Sequence, residues 1–178
     1  MADRPTDELL ANLEKPDQKE LLPLIAELAS RPKDKEKVLP AMMKLQVDGR
    51  YIVRVAAATA RVALDPDHPG KYATTLESAL RFRHQAPAYG ALVEDAPELR
   101  KIQKLAVPGL VKLIERELGG SKPKEGPPET PAALQVLRNF PLDAGKPAVA
   151  VVAKVALQPT HASRVLAEEV LKKWGAAD

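Results

Sequence analysis

Two helical patterns follow one another directly in residues 38–64, VLPAMMKLQVDGRYIVRVAAATARVAL. We predict a first helix over about 34–46, a break near Asp48, and a second helix over about 50–64. The second helix carries alanines and branched apolar residues along one face, and a single partner helix cannot cover that face. The sequence therefore predicts further helices stacked on this pair, because such a unit is not stable alone.

The same helical spacing recurs along most of the chain. Seventeen prolines and nine glycines separate the apolar stripes, and alternating strand patterns are scarce. We therefore predict an all-α protein. Further helices are expected near residues 6–13, 17–28, 68–80, 88–94, 97–118, 130–140, 147–157 and 160–174.

Residues 119–131, GGSKPKEGPPETP, have the composition of an exposed loop. They contain four prolines, three glycines and no large apolar side chain. The loop could separate two domains, but the stretch that follows it is short for an independent core. We therefore predict one domain over residues 1–178, with the loop inserted in it.

Residues 147–157, PAVAVVAKVAL, carry a single charge, Lys154. The valines would also suit a buried strand, but no partner strand is predicted, so we expect a helix. A helix that is apolar all round has to be buried on all sides. We expect this helix to lie at the centre of the last layers, or else to form an interface between two copies of the chain or with another protein.

Four residues of the 34–64 segment resemble one unit of the HEAT repeat, an armadillo-type family of helical solenoids. They are Pro40 in the first helix, Asp48 in the turn, and Val53 and Arg54 in the second helix. The resemblance implies a right-handed superhelix of roughly five antiparallel helix pairs. It also implies that the turn aspartate and the second-helix arginine belong to ladders between successive repeats. Other parts of the chain match only loosely.

The resemblance further implies a non-catalytic scaffold that binds another protein. The binding surface would be the inner face, which is formed by the second helix of each pair. The candidate partner-binding residues on that face are Tyr51, Arg61, Arg164 and Lys172.

Composition argues against several other classes of function. The chain has no cysteine, so disulfides and thiolate metal sites are excluded. Its three histidines are far apart in sequence, and no acid–base constellation or phosphate-binding glycine loop is present. We therefore expect no enzyme activity, no metal and no cofactor. There is neither an apolar run of membrane-spanning length nor a signal peptide, so we expect a cytoplasmic protein without membrane insertion.

Nucleic-acid binding is the main alternative, since some HEAT-like proteins are DNA glycosylases. The candidate phosphate contacts are cations that could share one face of the 97–118 helix: Lys101, Lys104, Lys112 and Arg116. A net charge of +3 and 3% aromatic residues argue against nucleic-acid binding, because nucleic-acid interfaces are usually more basic and more aromatic. A bilin-lyase type of repeat protein is a second alternative, but the chain lacks a cysteine that could attach a chromophore.

Overall fold

Every regular element in the described residues is helical, as the sequence predicts. The computed structural model describes residues 4–14, 17–81, 96–120 and 128–176. Short 3₁₀ turns occur at Asn12–Glu14, Pro32–Asp34 and Lys146–Ala148. The α-helices are α1 (Thr6–Ala11), α2 (Gln18–Ala29), α3 (Lys35–Leu45), α4 (Tyr51–Leu64), α5 (Gly70–Arg81), α6 (Pro97–Leu118), α7 (Thr130–Asn139), α8 (Leu142–Gly145), α9 (Val149–Ala156) and α10 (Arg164–Trp174).

Helix α4 lies at the centre of the structure. It packs against α2, α3, α5 and α6. Its Ala56, Ala57, Ala58 and Ala60 have no exposed surface. Because each of these side chains is a single methyl group, several helices can approach the α4 backbone closely. The alanine-rich helix therefore has the neighbours that its apolar surface requires.

Helices α5, α7 and α10 lie side by side and run in the same direction. Helix α5 packs against α7, and α7 packs against α10. At one end, Gly70 of α5 lies next to Glu129, the residue before α7. At the other end, Leu80, Asn139 and Lys173, from the last turns of the three helices, line one cavity. The three C-terminal ends therefore lie together.

Helices α2, α4 and α6 all touch one another. Helix α2 packs against both α4 and α6, and α4 packs against α6. Gly109 allows α6 to approach the end of α4. A Cβ atom at this position would lie 3.3 Å from the Cα of Pro66 and 3.4 Å from the carbonyl oxygen of Val62. Any larger residue at position 109 would therefore press against backbone.

Residues 147–157 are not buried on all sides within this chain, so the expectation of a central helix is wrong, while the alternative of an interface with another chain stays a prediction. Helix α9 buries one face, formed by Val151, Val152 and Val155. Its other face exposes Ala150 and Lys154, and Leu157, just after the helix, is 80% exposed. Alanine can face water at little cost, so an uninterrupted apolar sequence here still gives a helix with one buried face.

Other predicted boundaries differ by a few residues. The last helix begins at Arg164, four positions later than expected, because residues 159–163 form turns. Helix α7 begins at Thr130, so the final two residues of the predicted 119–131 loop are helical. Residues 121–127 of that loop and the predicted helix at 88–94 lie outside the described residues.

Buried apolar side chains from Leu9 to Trp174 form one continuous cluster. Trp174 anchors the end of α10 in this core. Its indole N–H donates to the carbonyl oxygen of Phe140 at 3.1 Å. The indole ring also lies directly over Gly145, where an added Cβ would be 2.3 Å from a ring carbon. The absence of a side chain at Gly145 thus determines how closely α10 packs on α8.

Candidate partner-binding groove

A groove of about 580 Å³ lies between α2 and α6, on the surface where these two helices meet. Helix α2 exposes Pro23 here because Leu21, Leu24, Ile25 and Leu28 turn the opposite way, into the core. The groove is lined from α2 by Pro23, Ala26, Glu27 and Ser30, and from α6 by Glu98, Lys101, Lys104 and Leu105. Its volume is within the range of protein binding sites, which is roughly 300–1,000 Å³.

The middle of the groove is apolar. Leu105 is 38% exposed, and it is one of few large apolar side chains in the described residues that face solvent. Pro23 and Ala26 lie across from it on α2. Leu105 and Ala26 are not among the site residues predicted from the sequence. The sequence does indicate that Leu105 is exposed, because it falls outside the buried stripe of α6, which contains Ile102 and Ala106.

Charged side chains border this apolar strip. Glu27 already pairs with Arg4 and with Arg31, whose nitrogen lies 3.1 Å from the carboxylate. Lys104 pairs with Asp143 at 3.2 Å. Within the part of the chain that the structure describes, Glu98 and Lys101 have no oppositely charged group within ion-pair distance. Opposite charges three positions apart on one helix attract each other only weakly, so Glu98 and Lys101 are both available to a ligand.

Of the HEAT-like motif residues, Asp48 lies in the compact turn between α3 and α4. Asp48 accepts from the Nε and Nη2 of Arg50, at 2.8 and 2.7 Å, and from the Arg50 backbone N–H at 2.8 Å. These hydrogen bonds from Arg50 hold the pKa of the Asp48 carboxyl below its usual value. Pro40 lies inside α3, and Val53 is fully buried in α4.

Arg54 stabilises the same turn by contacting backbone. Its Nη1 donates to the carbonyl oxygens of Asp48 at 2.7 Å and Gly49 at 3.1 Å. These hydrogen bonds stay within one helix pair, whereas the resemblance implied a ladder between successive repeats. Arg50 is the residue that sequence reasoning missed. Two arginines flank this turn, and their spacing alone does not decide which one pairs with the aspartate.

Two of the four candidate partner-binding residues pack against other helices. Tyr51 is 4% exposed, so its ring belongs to the core. The Arg61 guanidinium donates to the side-chain oxygen of Gln46, at the end of α3, and lies 4.6 Å from the ring centroid of Tyr72 in α5. Arg61, which is half-buried, therefore links three helices, whereas Tyr51 offers no open surface to a partner.

The other two candidates are exposed on α10. Arg164 forms an ion pair with Glu168, one turn further along the helix, at 2.7 Å. Lys172 is exposed in the last turn of the same helix. Of the four candidates, Tyr51 therefore belongs to the core, while Arg61, Arg164 and Lys172 keep exposed surface.

The candidate phosphate contacts are largely neutralised. Lys104 pairs with Asp143, Lys112 with Asp67 at 3.1 Å, and Arg116 with Glu129 at 2.8 Å. The three acids come from three different segments around α6. Only Lys101, in the α2–α6 groove, lacks such a partner in the described part of the chain. The face of α6 therefore carries alternating charge and has little excess positive potential.

The described residues offer neither a metal site nor a membrane-spanning helix. They contain no group of three or more histidine or acidic side chains placed to hold a metal ion. None of their helices is both long enough and apolar enough to cross a membrane.

No family model matches this chain, and neither the curated proteins nor the solved structures gave a match. The resemblance to HEAT repeats thus rests on Pro40, Asp48, Val53 and Arg54 alone.

Proposed function

We propose that this chain is a non-catalytic protein-binding module that holds an amphipathic helix of a partner protein in the α2–α6 groove. The observation that carries this proposal is the arrangement of the groove: an apolar strip with one unpaired cation and one unpaired anion beside it. Amphipathic helices bind in such grooves by burying their apolar residues, while charged residues at the edge fix their register.

Charge complementarity specifies the helix that fits. Leu105, Pro23 and Ala26 would contact its apolar stripe. Lys101 calls for an acidic residue on one border of that stripe, and Glu98 calls for a basic residue one turn away. The partner helix is therefore expected to carry both charges rather than to be uniformly acidic or basic.

We also propose that the helix pairs belong to a HEAT-like superhelix. The same-direction packing of α5, α7 and α10 beside the mutual packing of α2, α4 and α6 supports two layers of helices. In this interpretation α2 and α6 belong to the layer that lines the inner face, where helical-repeat proteins bind their partners. The assignment of the inner face rests on fold-level analogy with helical-repeat proteins.

The rival functions have less support. Nucleic-acid binding would need an excess of cations on α6, but Lys104, Lys112 and Arg116 are paired with acids. A bilin-lyase type of activity would need acid–base or chromophore-binding groups around a pocket. The α2–α6 groove offers Glu27, Ser30, Glu98 and two lysines, without a histidine or an aromatic ring.

The proposal is tested by affinity purification of a partner from the source organism, with the full chain as bait. Three bait proteins are compared in parallel, each with and without nuclease. They are the wild type, Leu105→Glu, and the control Val47→Glu, whose side chain is 86% exposed and does not line the groove. Circular dichroism establishes that all three are folded.

We expect one protein to be recovered with the wild type and the control, independently of nuclease, and to be lost with Leu105→Glu. Calorimetry with that protein purified should show at least about a tenfold weaker affinity for Leu105→Glu. Equal affinity for both variants would refute the groove as the binding site. Recovery that disappears with nuclease would favour nucleic-acid binding instead.

A further inference from the structure

We propose that a second site, a cavity at the C-terminal ends of α5, α7 and α10, binds an acidic peptide segment through its carboxylates. The cavity encloses about 510 Å³. Three cations from three helices line it, Arg81, Arg138 and Lys173, together with one carboxylate, that of Glu77. The site shares no residue with the α2–α6 groove, so it does not depend on the function proposed above.

The direction of the three helices explains why the cations gather here. Basic residues are favoured in the last turn of a helix, where backbone carbonyl groups lack hydrogen-bond donors. Since α5, α7 and α10 end on the same side, their last-turn cations meet around one space. One of them acts as a cap, because Lys173 donates to the carbonyl oxygen of Arg138. Helix termination alone, however, does not require the two arginines to face a common cavity.

The arginines retain donors for a ligand. Arg81 pairs with Glu77 of its own helix, and Arg138 pairs with Glu169 of α10 at 3.1 Å. Each guanidinium has five N–H groups, and these pairs use only one edge of it. The Arg81 side chain is 75% exposed and that of Arg138 is 47% exposed. The Arg138–Glu169 pair is exposed on both sides and therefore weak, so an incoming carboxylate can replace Glu169 at little cost. Glu77 is only 12% exposed, so a ligand would share Arg81 with it, through the unused edge of the guanidinium.

The remaining lining favours a peptide over a free ion. Leu80 is buried and forms an apolar wall, and Gln135 and Asn139 add amide groups. The side-chain nitrogen of Asn139 already donates to the carbonyl oxygen of Gln135 at 2.8 Å, so its side-chain oxygen is the group that can accept from a ligand. An acidic segment can therefore place a carboxylate between the arginines and its backbone N–H groups near an amide oxygen.

Fluorescence anisotropy with a labelled hexaglutamate peptide tests this site on the full chain. The variants are Arg81→Gln and Arg138→Gln, with Lys154→Gln as the control. Lys154 is an exposed lysine on α9 with no acidic group within ion-pair distance in the described residues. All three variants remove one positive charge, so a general electrostatic effect would move them equally.

We expect each arginine variant to weaken peptide binding about five- to tenfold at low ionic strength, and Lys154→Gln to change it less than about twofold. Binding should fall as salt rises, and a hexaglutamine peptide should not bind. Equal losses in all three variants, or equal binding of hexaglutamine, would overturn the site. Displacement of the peptide by an equal concentration of inorganic phosphate would overturn the peptide assignment in favour of a small-anion site.

Discussion

The guanidinium of Arg61 lies 4.6 Å from the centroid of the Tyr72 ring and also donates a hydrogen bond to Gln46. One side chain of α4 thus joins the end of α3 to the start of α5. The cation–π contact is partly shielded from water, which makes such an interaction stronger than at an exposed site. The link between neighbouring helix pairs in this region is therefore Arg61, whereas Arg54 closes the turn within its own pair.

We expect Arg61→Ala to lower the free energy of unfolding by about 1–3 kcal/mol. The variant loses the packing on Tyr72 and leaves the Gln46 oxygen without its donor. Arg164→Ala is the control, because its exposed ion pair with Glu168 should contribute less than about 0.5 kcal/mol. Urea denaturation gives both values. Combining Arg61→Ala with Tyr72→Leu should show a coupling of about 0.5–2 kcal/mol, and strict additivity would contradict the contact.

Acid should destabilise the protein partly through Asp65. This carboxylate is 7% exposed, and it accepts from Lys35 at 2.9 Å with His68 at 3.3 Å. Burial by itself would raise the pKa of Asp65, but hydrogen bonds and charges from Lys35 and His68 outweigh it and hold the pKa below its usual value. The stabilisation is therefore present above the unfolded-state pKa of about 4 and is lost as pH falls through the lower folded-state value.

Asp65→Asn isolates this contribution. At pH 7 the variant should be less stable, with a lower urea midpoint, because the buried side chain at position 65 no longer forms a charge-assisted hydrogen bond with Lys35. Between about pH 5 and pH 3 the wild type should lose more stability than the variant, so the two curves converge. Denaturant titrations at several pH values measure this difference. Asp67→Asn, at an exposed carboxylate, should follow the wild type, and parallel curves for all three proteins would exclude a role for Asp65.

Gly145→Ala should destabilise the packing of α10 on α8. The added Cβ would lie 2.3 Å from the Trp174 ring, so the indole has to move and weakens its hydrogen bond to Phe140. We expect a loss of about 1–3 kcal/mol. The chain has one tryptophan, so a shifted emission maximum should report the displacement directly. Gly49→Ala is the matched control, since a Cβ there meets nothing within 4 Å. Similar effects at both positions would contradict the packing argument.

Local sequence patterns predict most of the helices but not the contacts between them. The sequence predicts helix α6 over residues 97–118, and the helix occupies Pro97–Leu118. This prediction succeeds because the apolar stripe and the proline at the start are local features of the helix's own sequence. The α2–α6 groove depends on where two distant helices meet, which local periodicity does not contain. The same holds for Arg61, whose partners are in α3 and α5. The 147–157 segment was misjudged because alanine is compatible with either face of a helix.

Glu117, a residue of α6, caps the start of α7. Its carboxylate accepts from the backbone N–H groups of Glu129, at 2.7 Å, and Thr130, at 2.9 Å, and from the Thr130 hydroxyl. No side chain from within the described part of α7 caps this end, so Glu117 satisfies donors that would otherwise lack partners. We expect Glu117→Ala to cost about 1–2 kcal/mol, with faster hydrogen exchange at residues 129 and 130. Glu115→Ala, two residues earlier on the exposed side of α6, is the control. Unchanged exchange at those two amides would show that α7 does not depend on this cap.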